Sequence, residues 1–313
     1  MSETASPLRR GRLVRIAAAF VMLLALIGYV VVQYETVGGA PRCTVRTAEG
    51  DGPSYELTPE QAGNAATISA VGTSRGMPER AVTIALATAL QESALRNIRH
   101  GDRDSLGLFQ QRPSQGWGTP RQILDPVYAS GKFYEHLAQV PGYSRLPLTA
   151  AAQIVQRSGF PQAYAKHEPD ATLLAASLTG RASATLTCET RQSGGRGTGS
   201  PAKVRAELVR AFGPEVLPDA AHGGGTGGGR TSAPAASQVS VPVPAAAGAS
   251  AGGPGSRRGW ELAHWAVARA EGLRIEEVSY GGRVWSAEAP GKGWRTADAG
   301  HRGTEIVLIR VAR

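Results

Sequence analysis

The sequence predicts a mainly α domain and a small α+β domain, carried behind one N-terminal transmembrane helix. Residues 16–32 form an uncharged apolar run at the start of the chain. Between Pro59 and Leu178, apolar residues recur at helical spacing, and no convincing alternation of period two appears. A segment rich in Gly, Ala, Ser and Pro then precedes strand-like runs near the C-terminus. A chain of 313 residues with 42% hydrophobic content suits about two domains.

The N-terminal apolar run is expected to anchor the protein in the cell membrane as a single-pass helix. Its length lies near the lower limit of roughly 17 residues for a membrane helix. Arginines at positions 9, 10, 12 and 15 precede it, which places residues 1–15 in the cytoplasm and the bulk of the chain outside. A cleaved signal peptide is the alternative, disfavoured by the bulky Val31-Val32-Gln33-Tyr34. Residues 33–53 are expected to form a stalk.

The two cysteines, Cys43 and Cys188, lie on either side of the helical block. In an oxidising exterior they are expected to form one disulfide that closes this block. Two unrelated thiols are the alternative.

The mainly α domain is predicted over residues 54–190. Thr58 is placed as the N-cap of its first helix, with Pro59 at the first helical position. A second helix begins after Met77-Pro78, and its apolar residues at helical spacing are Val82, Leu86 and Leu90. Further helices are predicted after Asp125-Pro126, over 149–155, over 171–178, and over 201–212 within a connecting segment, 191–221.

A flexible linker is predicted over residues 222–257, because that composition buries too little apolar surface to offset its ordering entropy. The small α+β domain is predicted over residues 258–313. Its helix is expected over 260–271 and its strands over 274–280, 283–286 and 305–311, with the turn Gly281-Gly282 between the first two strands.

Glu92 is the candidate for chemistry. It ends the second predicted helix, and a short polar loop separates it from the glycine-bearing stretch Ser105-Leu106-Gly107-Leu108-Phe109-Gln110. A carboxyl at a helix end feels the negative pole of the peptide dipoles, and apolar surroundings remove water from it, so its ionised form is disfavoured twice. Such an acid can stay protonated near neutral pH and can protonate the leaving oxygen as a glycosidic bond breaks.

Glu92-Ser93 at a helix end, followed by Gly107-Leu108-Phe109-Gln110, resembles the Glu-Ser and Gly-Leu-x-Gln motifs of lysozyme-like lytic transglycosylases. The resemblance covers roughly residues 58–178 and implies a lysozyme-like fold. It also implies that Glu92 protonates the bond between N-acetylmuramic acid and N-acetylglucosamine in peptidoglycan, then acts as base on the sugar's own 6-hydroxyl. The N-acetyl group of the substrate would stabilise the developing positive charge, and no cofactor is expected.

The resemblance assigns supporting residues as well. Gly107 would let the backbone approach the sugar, and Gln110 would hold the substrate or the loop by its amide. Ser93 and Ser105 are expected to be hydrogen-bond partners. Tyr164 is expected to face the cleft, with a core or rim aromatic as the alternative.

Downstream the sequence departs from the family. Gln156-Arg157-Ser158-Gly159-Phe160-Pro161 stands where the family has an Ala-x-x-Ala-Tyr-Asn type motif. Two alternative functions therefore stay open: a catalytically inactive module that binds wall glycan, and an envelope scaffold that binds proteins.

A metal is not predicted in either domain. His100, Asp102 and Asp104 alternate as ligands of a loop site can, but one His and two Asp fit a solvated loop better. Asp102 and Asp104 could also position a water for hydrolysis, and a polar loop explains them equally well.

The C-terminal segment resembles a small domain of secreted Gram-positive wall proteins, distantly similar to zinc-dependent peptidases. The residues that carry this similarity are Trp265-Ala266-Val267-Ala268, Val284-Trp285-Ser286 and Gly293-Trp294-Arg295. His301 has no second histidine nearby, so neither metal binding nor peptidase activity is expected. The C-terminal segment is therefore expected to bind the wall or to act as a spacer, with a purely structural role as the alternative.

The net charge of +9 bears on partners. An external location favours anionic wall polymers or lipid head groups over nucleic acid. The expected partners are thus peptidoglycan glycan strands, the membrane through the N-terminal helix, and anionic wall polymers.

Overall fold

The computed structural model describes residues 16–29, 40–50, 52–160, 162–190, 197–218, 237–244, 256–297 and 303–313. About half of these residues are helical, and the named strands form two antiparallel sheets. The chain divides into two compact units, Met1–Ala40 and Pro41–Arg313.

The first unit contains a helix, α1, over the described residues 16–29. In the described part of the chain, no helix has both the length and the apolar character needed to cross a membrane. Residues 30–32 of the predicted anchor and the expected cytoplasmic tail, residues 1–15, lie outside the described residues.

The second unit is built around helix α2 (Pro59–Ser74). Thr58 is its N-cap, as predicted, and forms a capping box with Gln61. Every residue from Ala62 to Gly72 is buried, and most are small. Such a helix needs neighbours on all sides. Those that follow in the chain are α3 (Glu79–Ser93), α4 (Pro120–Ile123), α5 (Pro126–Ala138), α6 (Leu148–Gln156), α7 (Glu168–Leu178) and α8 (Pro201–Phe212).

A three-stranded sheet closes the helical part. Its strands are β1 (Arg42–Arg46), β2 (Ser54–Leu57) and β3 (Leu186–Glu189), in the order β2-β1-β3. Cys43 lies opposite Cys188 on adjacent strands, and the predicted disulfide joins them. The expectation of a stalk over residues 33–53 is wrong for β1, because Cys43 and Val45 alternate onto a buried face.

The second sheet contains β4 (Gln238–Pro242), β5 (Ile275–Tyr280), β6 (Arg283–Ser286), β7 (Arg295–Thr296) and β8 (Ile306–Val311), in the order β4-β8-β5-β6-β7. Helices α9 (Arg257–Ala268) and α10 (Ala270–Leu273) accompany it. The predicted turn Gly281-Gly282 has positive φ at both residues.

Strand β4 corrects the prediction that residues 222–257 are a flexible linker throughout. Val239 and Val241 alternate with polar residues, are fully buried, and pair with β8. The composition of the whole segment did not indicate this strand, because the alternation covers only a few residues. Those residues are enough to form one apolar face.

The C-terminal elements pack directly on the helical part, where α9 contacts α2, α7 and β3. Trp294 Nε1 donates to the Leu186 carbonyl of β3 at 2.8 Å. His264 of α9 lies 2.8 Å from the Ser177 carbonyl through Nδ1, and its Nε2 accepts from Thr185 N–H at 3.2 Å. The segments expected to be separate domains therefore share an interface within one compact unit.

Candidate functional site

Glu92 lies in the last turn of α3, where unusual backbone geometry ends the helix. Ala94 and Leu95 follow with φ angles of 51° and 60°. This left-handed region costs a non-glycine residue about 1 kcal/mol or more. Two side chains of α2 support this backbone conformation. Gln61 Nε2 donates to the Ala94 carbonyl at 2.8 Å. Asn64 Nδ2 donates to the Leu95 carbonyl at 2.8 Å. Helix α2 thus maintains the position of Glu92.

The Glu92 carboxyl is partly buried and accepts a side-chain hydrogen bond. The Tyr164 hydroxyl donates to Glu92 Oε1 at 2.7 Å, and the nearby Gln156 amide is a second donor group that favours the ionised form and so acts to lower the pKa of Glu92. Burial raises the pKa of Glu92 above its ordinary value, and the two donors oppose this rise because they favour the ionised form. Burial and the adjacent Glu92 also raise the pKa of Tyr164, so its phenol stays protonated.

The glycine-bearing turn, residues 105–111, is closed by a pair of backbone hydrogen bonds. Leu106 and Gln111 each donate an N–H to the other's carbonyl at 3.0 Å. Gly107 has a φ of +77°, and a Cβ there would lie 2.8 Å from the Ile123 carbonyl oxygen. In the structure, the absence of a side chain at Gly107 therefore allows the Ile123 carbonyl to approach closely.

Three contacts fasten the turn to the surrounding helices. Ser93 Oγ donates to the Leu108 carbonyl at 2.8 Å. Gln156 Nε2 donates to the Phe109 carbonyl at 2.8 Å. The Phe109 ring stacks on Phe133 of α5, with 4.7 Å between ring centroids. Ser93, which follows Glu92 in α3, thus also holds the turn in place.

The structure places the predicted supporting residues in two groups. Ser93 and Tyr164 are buried beside the acid, and Tyr164 contacts it directly. Ser105 and Gly107 are buried within the turn. The Gln110 amide donates to the Gly107 carbonyl at 3.2 Å, so it holds the loop. The contacts of these residues with a sugar stay predictions.

Asp104 organises the loop that precedes the turn. Its Oδ1 accepts from Arg112 Nε and its Oδ2 from the Ser114 N–H, both at 2.8 Å. These bonds hold the pKa of Asp104 well below its usual range. The Asp102 side chain is 95% exposed. Among the residues that the structure describes, no group of three His, Cys, Asp or Glu side chains is placed to hold a metal.

Sequence reasoning missed the roles of Gln156, Gln61 and Asn64. Gln61 was recognisable as the third residue after an N-cap, but its bond to α3 depends on tertiary packing. Gln156 stands at the start of the stretch that replaces the family's downstream motif. Its position there was a signal that it could provide an amide close to Glu92.

Comparison with known proteins gives one family model, described as VldE, C-terminal domain, which matches residues 203–306. That range covers about a third of the chain, from α8 to the start of β8, and contains none of the residues around Glu92. No curated protein matches the chain.

Proposed function

We propose that this protein is a membrane-anchored, extracytoplasmic enzyme that cleaves peptidoglycan glycan strands between N-acetylmuramic acid and N-acetylglucosamine. The observation that carries the proposal is the Glu92 carboxyl, partly buried at the end of α3 and bonded by Tyr164 beside a glycine-bearing turn. The resemblance of these motifs to lytic transglycosylases supports a lysozyme-like fold for the helical part.

The environment of Glu92 suits an acid that later becomes a base. Burial favours the protonated carboxyl, which donates its proton to the glycosidic oxygen as the bond to the anomeric carbon breaks. The carboxylate that remains accepts a hydrogen bond from Tyr164, which stabilises its charge. It then takes the proton of the sugar's 6-hydroxyl, whose oxygen bonds the anomeric carbon. The product has an anhydro end, and no water is consumed.

The carboxylates near the turn favour this reaction over hydrolysis. Most hydrolytic glycosidases use a second carboxylate as nucleophile or as base for a water. Both oxygens of Asp104 are engaged by Arg112 and Ser114. Among the described residues, the side chain hydrogen-bonded to Glu92 is the phenol of Tyr164. The N-acetyl group of the substrate would then supply the charge stabilisation that a second carboxylate gives elsewhere.

The location is proposed from the N-terminal sequence. The uncharged run over 16–32 follows four arginines, which favours a membrane helix with the bulk of the chain outside. The disulfide between Cys43 and Cys188 suits an oxidising exterior.

The proposal is tested by mass spectrometry of digested wall. Purified residues 33–313 should release anhydromuropeptides from wall sacculi, and Glu92→Gln should lower the release at least about 100-fold, since a proton donor contributes that much. Glu135→Gln is the matched control, because Glu135 lies on the surface of α5, bonded to Lys132. Equal activity in wild type and Glu92→Gln removes Glu92 from the mechanism. Reducing ends indicate a hydrolase, and sacculus binding without soluble product indicates an inactive binding module.

A further inference from the structure

The loop that follows the candidate acid, residues 94–104, contains three arginines and two aspartates. Both aspartates already have a cationic partner. Asp104 Oδ1 lies 2.8 Å from Arg112 Nε, outside the loop, and Asp102 Oδ2 lies 3.9 Å from Arg103 Nε. The positive charge of the other two arginines is therefore not neutralised within the loop.

Those two arginines, Arg96 and Arg99, are exposed, and within the described part of the chain no ion pair joins either of them to a carboxylate. Arg96 Nε donates to the Ser93 carbonyl at 3.4 Å, so its guanidinium lies against the end of α3, at the residue that follows Glu92. This bond uses Nε alone. The two Nη groups are left to bind a carboxylate, which a guanidinium grips with two parallel hydrogen bonds.

Two hydrogen bonds fix the loop beside the 105–111 turn. Gly107 N–H donates to the Ile98 carbonyl at 2.8 Å. Asn97 Nδ2 donates to the Leu124 carbonyl at 2.7 Å. Asn97 and Ile98 are the residues between the two arginines, so both cations are attached to a backbone segment held in place next to the turn.

We propose that Arg96 and Arg99 bind carboxylates of the peptide stems that peptidoglycan carries, and so favour glycan whose stems have free carboxylates. This inference rests on the proposed function. In that reaction, N-acetylmuramic acid lies on one side of the bond at Glu92, and its lactyl group joins the stem to the sugar. The stem therefore begins close to the acid, where two unneutralised guanidinium groups complement its charge.

The experiment measures the binding of one glycan preparation in two chemical forms. Solubilised strands with intact stems are used untreated, or after carbodiimide coupling to ammonia, which converts their carboxylates into neutral amides. The protein is the full chain in detergent micelles with Glu92→Gln, so that strands are not cut during the titration. Amidation should raise the Kd. Arg96→Gln and Arg99→Gln should each raise the Kd for untreated strands about twofold to fivefold, as expected for exposed ion pairs.

Arg145→Gln is the matched control, because Arg145 is also exposed and forms no ion pair among the described residues. Its neighbour Leu146 accepts from Arg80 Nη2 at 3.3 Å, near the start of α3. The helix from Arg80 to Glu92 spans about 18 Å. This variant loses the same charge far from the acid, so it measures the general effect of net charge.

The decisive quantity is the change in Kd on amidation, compared between proteins. It should be smaller in Arg96→Gln and Arg99→Gln than in the Glu92→Gln protein, and unchanged in Arg145→Gln. That result supports the inference even if wild type cleaves no glycan, in which case the proposed function alone fails. If one arginine variant does not fold, the other carries the same comparison.

Two results overturn the inference. One is an amidation effect of the same size in both arginine variants as in the Glu92→Gln protein. The other is equal binding of untreated and amidated strands by the Glu92→Gln protein. If soluble poly(glycerol phosphate) then binds in a way that depends on Arg96 and Arg99, the ligand of these residues is a phosphate polymer instead.

Discussion

Glu92 is subject to two opposing effects on its charge. Burial favours the neutral acid, whereas the Tyr164 hydroxyl and the Gln156 amide favour the carboxylate. The net result is a raised pKa, because loss of hydration is the largest effect. A residue that acts first as an acid and then as a base must be stable both as the protonated carboxyl and as the carboxylate. The opposing effects on Glu92 stabilise both forms.

The same balance predicts how Glu92→Gln changes stability. The folded protein holds a proton on Glu92 above the ordinary pKa of 4.5, so ionisation penalises the folded state as pH rises through this range. Replacing the carboxyl should therefore stabilise the protein more at pH 7.5 than at pH 4. Urea unfolding of wild type and variant at both pH values measures the difference.

Glu135→Gln should show the opposite sign. The Lys132 ammonium lowers the pKa of Glu135, so its carboxylate stabilises the folded state above the unfolded pKa and this is lost as pH falls. The variant should lose a little stability at pH 7.5 and less at pH 4. A Glu92→Gln effect of the same size at both pH values would contradict the raised pKa.

At the residue scale, the sequence was enough to select Glu92 and to place Tyr164 among the candidates. It was not enough to predict the Gln156 contact, because a side-chain amide finds its acceptors only when α6 and the turn are packed together. The positions of Gln61 and Asn64 beneath α3 depend on tertiary structure in the same way.

At the scale of elements, the turn that carries Gly107 is expected to be less tolerant of substitution than other glycine turns. Gly107→Ala should cost about 1 kcal/mol for the left-handed backbone and about 1 to 3 kcal/mol more for crowding at the Ile123 carbonyl. It should also lower glycan cleavage, since the turn and Glu92 share supports. Chemical denaturation and the wall assay measure the two effects.

Gly116→Ala is the matched control. Gly116 has a φ of +80°, close to that of Gly107, but its Cβ would meet no atom within 4 Å. Its cost should be the backbone cost alone. Equal losses for the two variants would show that the contact with Ile123 does not constrain the turn.

Elements with local signals were predictable, and elements held together by distant partners were not. Helix α8 begins and ends at the predicted residues, Pro201 and Phe212, because Gly213-Pro214 stops it. Strands β1 to β3 have four or five residues each. Their pairing joins chain positions 145 residues apart, at Cys43 and Cys188. The predicted disulfide indicated that these two positions meet, but no local pattern indicated that they meet as paired strands.

At the scale of the whole molecule, the C-terminal segment completes the core of the helical part. Helix α2 is buried on all sides, and α9 covers one of them. His264, Trp294 and a buried Glu261 that bonds Thr73 lie at this interface. A linker-rich sequence favours separable domains, but it does not reveal which faces of α2 and α9 meet.

The interface predicts a pH-dependent stability centred on His264. Its ring is fully buried between Ser177 and Thr185, and burial lowers the pKa of His264 to about 4. In the unfolded chain its ordinary value is 6.5, so between these pH values the unfolded state binds the additional proton. The free energy of unfolding should fall by roughly 3 kcal/mol as pH drops through this window. Burial also lowers the pKa of His136 and of His167, so the test compares variants.

His264→Gln removes the titrating ring and should flatten that part of the stability profile between pH 7 and pH 4. Unfolding is followed by tryptophan fluorescence, because the Trp260 and Trp294 rings lie 5.5 and 6.0 Å from the His264 ring. His100→Gln controls for the loss of an exposed imidazole. Far-UV circular dichroism is expected to give the same midpoint, because α9 packs against α2 and α7 within one compact unit. An unchanged pH slope in His264→Gln would contradict the lowered pKa of His264. Two separate transitions in wild type would show that the C-terminal segment does not share the core of the helical part.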